Sequence, residues 1–184
     1  GFPIISVSGP SIPEVQQLGC ATLYHLSRGE SVGVLALVRE GGVKRLVAAM
    51  RWYSTQAELT LTVTSALALI SSSDEPEVVA ELMAANMIAS LVNAVDRHKR
   101  KQAIAGRGLA GLGNLMLTGG AAAVAVAERT CALQLVSEVM EAHDQNVPIL
   151  VQACHCFMNA AATGIDTKEA IACSTYVNGA EKIL

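Results

Sequence analysis

The stretch "AGRGLAGLGNLMLTGG", Ala105 to Gly120, contains Gly106-x-Gly108-x-x-Gly111, the spacing with which a dinucleotide-binding loop brings backbone amides up to a pyrophosphate. Such a loop needs a buried strand before it, a helix after it, and an acidic residue about 20 positions further on. Upstream stands "DRHKRKQAIA", too charged for a buried strand, and Glu128 follows a Gly-Gly break rather than a second strand. The competing reading is structural: small residues on one track of a helix let neighbouring helices approach closely. Each glycine there gives up about 1 kcal/mol of helix propensity against alanine. A nucleotide-binding enzyme is therefore kept only as a remote alternative, and no cofactor is expected.

Two other stretches invite chemistry. In "CHC", Cys154 to Cys156, a helix would set the two thiols about 200° apart, so they could not chelate one ion together. No second Cys/His pair stands at zinc-site spacing, which favours core packing and leaves His155 facing away from at least one cysteine. The dense basic run "DRHKRK", Asp96 to Lys101, reads as a solvated turn, with a docking patch of Arg97, Lys99, Arg100 and Lys101 for an acidic partner, or an import signal, as the functional alternatives. No Ser, Cys or Asp stands in a recognised nucleophile motif and the four histidines are dispersed, so catalysis is not expected.

The elements that would position these residues must be built from an unusual palette. Over 184 residues the chain is 52% hydrophobic with mean hydropathy +0.42, yet only 3% aromatic, which points to closely packed helices of Ala, Leu, Val, Ile and Met. A net charge of -3 supplies no general attraction for nucleic acid or an acidic membrane surface. The uncharged run from Gly108 to Ala127 is long enough to raise a membrane span, but it is Ala- and Gly-rich and broken at Gly119-Gly120, so none is expected. Five cysteines scattered in apolar stretches, with no leader-like start, read as reduced thiols of a cytoplasmic protein, with nuclear or cytoskeletal and ciliary association as variants.

A period runs through the chain. "ATLYHLSRG" from Ala21, "SALALISSS" from Ser65, "AGLGNLMLTGG" from Ala110 and "HCFMNAAATG" from His155 align on Leu23, Leu67, Leu112 and Phe157, which lie 44, 45 and 45 residues apart. A second register agrees: "GGVKRLVAAM" from Gly41, "NMIASLVNAV" from Asn86, "CALQLVSEVM" from Cys131 and "GAEKIL" from Gly179 each pattern as short amphipathic helices. Another short segment precedes each one. Every unit thus predicts two short helices and one long one. Asp74-Glu75-Pro76-Glu77 supplies a helix start, Asp166 with Glu169 a capping-box spacing, and Thr118-Gly119-Gly120 and Thr163-Gly164 supply stops. The alternating "LTLTVT", Leu59 to Thr64, imitates a half-buried strand, and its place in the period makes a helix the expectation.

In "EGGVKRLVAAM" from Glu40, "LGNLM" from Leu112, "FMNAA" from Phe157 and "NGAEKIL" from Asn178, the chain resembles the armadillo-repeat family. HEAT repeats are the near competitor, disfavoured by the separate first helix and the glycines after Glu40. The resemblance implies an all-α, right-handed α-solenoid of three-helix repeats. On that frame residues 1–12 are an extended lead-in and residues 13–184 the array, with approximate units 13–29, 30–73, 74–118, 119–164 and an incomplete 165–184. The incomplete last unit suggests a piece of a longer protein.

The resemblance also implies where a partner would bind. Long helices line a concave groove, with the Asn position at His25, Leu69, Asn114 and Asn159; four residues earlier come Ala21, Ser65, Ala110 and His155, and seven earlier Leu18, Thr62, Arg107 and Gln152. The expected contact residues are His25, Arg107, Asn114, Gln152, His155 and Asn159, with the Asn amides holding the main chain of an extended segment. Importin-alpha-type arrays carry Trp four residues before Asn and this chain does not, so import-signal binding is not carried over. The function expected is a non-catalytic scaffold or adaptor for a protein partner, either a peptide, a helix or a neighbouring domain of the same longer chain. A structural spacer with end-on or lateral contacts, including end-to-end self-association, is the alternative.

Overall fold

A computed structural model describes residues 13–28 and 31–163. Among them the protein is all-helical: α1 (Pro13–Ser27), α2 (Ser31–Arg39), α3 (Gly42–Trp52), α4 (Ala57–Ile70), α5 (Pro76–Ala84), α6 (Met87–His98), α7 (Gln102–Arg129), α8 (Ala132–Ala142) and α9 (Val147–Ala162). The lead-in 1–12, the capping box at Asp166 and the incomplete unit 165–184 lie outside the described residues.

The strand-like "LTLTVT" is helical for a reason visible at its hydroxyls. Thr60 Oγ1 donates to the Gln56 carbonyl (2.9 Å), Thr62 Oγ1 to Glu58 (3.1 Å) and Thr64 Oγ1 to Leu61 (3.0 Å), so each buried or half-buried hydroxyl is satisfied within its own helix. Leu59, Thr60, Val63, Thr64, Ala66, Leu67 and Ile70 are buried, a three-and-four spacing rather than an alternating one. The apolar neighbours, not the Thr alternation, decided the element.

The junction between the two short helices of each unit is equally regular. Gly41, Asn86 and Cys131 precede α3, α6 and α8 with φ of 72°, 55° and 55°. They are 45 residues apart, and each turns the chain through the left-handed region before the next helix begins. Glycine adopts that backbone freely, asparagine tolerates it, and cysteine does so under strain. The expected stop at Gly119-Gly120 falls at Gly120, whose φ of 56° and ψ of −144° kink α7 internally. α5 begins on Pro76, as the acidic Pro-containing start anticipates.

The helices pack in order. α1 lies on α4, α4 on α7 and α7 on α9; α3 lies on α6 and α6 on α8; α2 lies on α5 and α5 on the long α7. Equivalent positions of successive units are therefore neighbours. Ion pairs cross between units in the same sense: Arg39 binds Glu77 through two parallel contacts (2.8 and 3.0 Å), and Lys44 meets Glu81 (3.2 Å). α7 is long and apolar enough to cross a membrane. It is kinked at Gly120, and Ile104, Leu109, Leu112, Leu115, Met116 and Val124 are buried, while Leu117 is exposed.

The strain at Cys131 is measurable. Cys131→Gly should stabilise the protein by about 1 kcal/mol, seen as a higher midpoint in urea unfolding with an unchanged slope. A lower midpoint would show that the left-handed turn carries no such strain.

Candidate interaction surface

The long helices α1, α4, α7 and α9 lie side by side, and each leaves one row of residues partly open. On α7 and α9 this row holds Arg107 and His155, both exposed, and Gln152, Asn114 and Asn159, all half-buried. Arg107 and Gln152 are brought together: they line one depression between α7 and α9 with Gly106, Ala110 and Ile149. His155 and Asn159 continue along α9 by the helical repeat. His25 is exposed on α1 against the Tyr24 ring (5.4 Å between centroids), two long helices away from Arg107.

The Asn pair has an internal task. Asn114 Nδ2 donates to the Ala68 carbonyl (3.1 Å) and Asn159 Nδ2 to the Gly113 carbonyl (2.9 Å). Acceptor and donor both shift by 45 residues, so one contact is made twice. Each amide ties its long helix to the long helix of the preceding unit. The expectation that the full amide faces a partner is narrowed accordingly, because one N–H of each amide is taken up by these contacts.

The glycine fingerprint occupies the interior of α7, not a loop ahead of a helix N-terminus. A Cβ at Gly108 would overlap Val95 Cγ2, one at Gly111 would press on Leu91 (3.0 Å) and Met87 (3.2 Å), and one at Gly113 would meet the Cys156 sulfur at 3.4 Å. Lack of side chains at Gly108 and Gly111 thus seats α6 against α7, whereas a Cβ at Gly113 would make an ordinary contact with α9. In "CHC" the helix separates the groups: Cys156 is buried, while Cys154 and His155 are exposed. The Cys156 thiol donates to the Leu109 carbonyl (3.2 Å), and burial pushes its pKa up to about 12. Burial does the same to Cys20, also up to about 12. No group of three or more His, Cys, Asp or Glu side chains stands close enough to hold a metal ion among the described residues.

Within the basic run, Lys99 is engaged by Asp96 (3.0 Å) and by Glu138 (2.8 Å) of the next unit. These contacts hold its pKa above the usual lysine value, the Glu138 hydrogen bond first and the Asp96 bond second. Arg97, Arg100 and Lys101 remain exposed.

Two residues escape motif reading. His98 Nε2 donates to the Ser54 carbonyl (2.8 Å) and His143 Nε2 to the Lys99 carbonyl (2.7 Å); in this geometry the ring nitrogen must carry the proton. Both rings are buried at the ends of second helices, 45 residues apart. The signal was present as Tyr53, His98 and His143 in one register, but dispersed histidines carry no motif. No family model matches the chain, and neither does any curated protein or solved structure.

Removing an amide that bridges units should cost stability before it costs binding. Asn114→Ala and Asn159→Ala are each expected to lower unfolding free energy by about 1 kcal/mol; an unchanged urea midpoint in both would mean the bridges contribute nothing. The thiols set an alkaline limit. Their folded pKa values are raised, so their contribution is complete below the unfolded thiol pKa of about 8.5 and is lost as pH climbs from there towards about 12. Under reducing conditions stability should therefore fall between those values, with Cys156→Ala showing a shallower decline than the parent. Identical slopes would remove the thiol from that role.

Proposed function

We propose that the described helices are armadillo-type units of a right-handed α-solenoid, and that the chain is a non-catalytic scaffold or adaptor that holds an extended segment or a helix of a protein partner along its row of long helices. The solenoid reading is supported by the ordered packing of equivalent helices and by the left-handed junctions, His bridges and Asn bridges that all repeat at 45 residues. The observation that carries the binding reading is the depression shared by Arg107 and Gln152. Across successive long helices it offers an exposed cation and a half-buried amide, while the Asn nitrogens tie those helices together. A partner main chain would meet acceptors and donors at intervals fixed by helix spacing.

Buried, protonated thiols at Cys20 and Cys156 suit a reducing compartment, and we place the protein in the cytoplasm on that basis. The spacer reading has one observation in its favour. Val147, Val151 and Met158 form an exposed apolar row on α9, and the equivalent positions of α7, namely Gln102, Gly106 and Gly113, face α9 itself. That row is where a further long helix, from this chain or another, would stack end-on.

The groove is tested with peptides selected from a random display library on the intact chain. Arg107→Ala combined with Gln152→Ala should weaken a selected peptide by at least about tenfold, roughly 1.4 kcal/mol, with the urea midpoint preserved. Unchanged affinity in a folded double variant would sink the assignment.

A further inference from the structure

The second helices carry a separate depression, independent of the groove reading. It lies between α3 and α6, spans ≈ 980 Å³ open to solvent, and is lined by Met50, Arg51, Ser54, Asn93, Ala94 and Arg97 among others. Arg51 and Arg97 are exposed and flank it, with no ion pair or hydrogen bond to another described residue. Arg100 and Lys101 follow on the turn after α6, also exposed. Asp96, which also lines the depression, is held by Lys99, and Lys99 takes Glu138 as well. Arg51, Arg97, Lys99, Arg100 and Lys101 thus outnumber the carboxylates Asp96 and Glu138, an excess of positive charge on a protein whose net charge is -3.

The edge is held in place rather than loosely displayed. His98 ties the end of α6 to Ser54, and His143 ties the next turn to it through Lys99, so the α6–α7 turn is pinned from both sides. Trp52, immediately after Arg51 on α3, is 62% exposed. Tryptophan and arginine are the side-chain types enriched at the energetic centres of protein interfaces.

We propose that this edge is a second docking surface and that its occupant is an acidic segment of a protein partner, with side-chain carboxylates taken by the Arg51 and Arg97 guanidinium groups and an apolar side chain packed on Trp52. The guanidinium fork matches a carboxylate in the plane. Asn93 and Ser54 stand in the same depression as neutral donors. An apolar wall of Met50 and Ala94 and an exposed indole favour a polypeptide over a uniformly charged polyanion.

The surface supplies its own reporter, because Trp52 is the only tryptophan of the chain. Titrating the intact protein with an oligoglutamate peptide that carries interspersed leucines should change the Trp emission saturably, and added salt should weaken the response. Arg51→Glu with Arg97→Glu should reduce affinity by at least about tenfold, whereas Arg107→Ala should leave it unchanged. If circular dichroism shows the charge-reversed variant to be unfolded, Arg51→Gln with Arg97→Gln replaces it, with the same loss expected. Absence of a saturable response overturns the proposal, as does a response that survives both variant pairs. Tighter binding of polyuridylate or of phosphatidylserine vesicles to the same residues would also overturn it, by assigning the edge to a different class of partner.

Discussion

The close approach of α7 to its neighbours is the constraint on which the rest of the structure depends. α7 touches α4, α6, α8 and α9, and it can do so because glycine stands where side chains would otherwise collide. A methyl group at Gly108 has no room beside Val95, and Gly111 is pressed by Leu91 and Met87 from one helix and by Ala68 from another. The four glycines from Gly106 to Gly113 weaken the helix's intrinsic preference by about 1 kcal/mol each. Forcing volume into such contacts would cost about 1 to 3 kcal/mol apiece. Packing therefore outweighs propensity, and a helix that would be marginal alone is central in context.

Once the long helices are that close, their polar groups can reach one another. The Asn114 and Asn159 amides bind carbonyls of the preceding long helix, the Cys156 thiol binds Leu109, and the His98 and His143 rings bind carbonyls of the preceding turn. Each donor satisfies a carbonyl that is 44 to 47 residues away in sequence. These contacts add direction to apolar packing that has none of its own. They fix how far one unit slides over the next, and so fix which side chains share a depression. In that register Arg107 lines one depression with Gln152, and Arg51 lines another with Arg97.

The two candidate surfaces differ in kind. Along the long helices the open row is neutral apart from Arg107, and it suits recognition of main-chain groups and shape. Along the second helices the open edge is cationic with one exposed indole, and it suits recognition of carboxylates. Both sit on helices locked by their neighbours, so neither surface needs to order itself before binding, which removes part of the entropic penalty of association.

The sequence by itself determined the helical class and the period. Leu23, Leu67, Leu112 and Phe157 report burial at a fixed spacing, and Pro76 and Gly120 mark a start and a stop, because capping and burial are local or periodic demands that residue type records. The glycine run could be placed on a helix from its place in the 45-residue period, with its charged upstream neighbour speaking against a strand. Only the tertiary structure decided what the polar residues do. Asn114 and Asn159 looked like free hydrogen-bonding groups, yet their nitrogens are engaged about 46 residues away. Lys99 looked like its neighbours Arg97 and Arg100, yet beside its local partner Asp96 it also binds an acid 39 residues away. A polar side chain carries donors and acceptors wherever it lies, and its partner is set by the packing of distant segments, which residue type and spacing do not record.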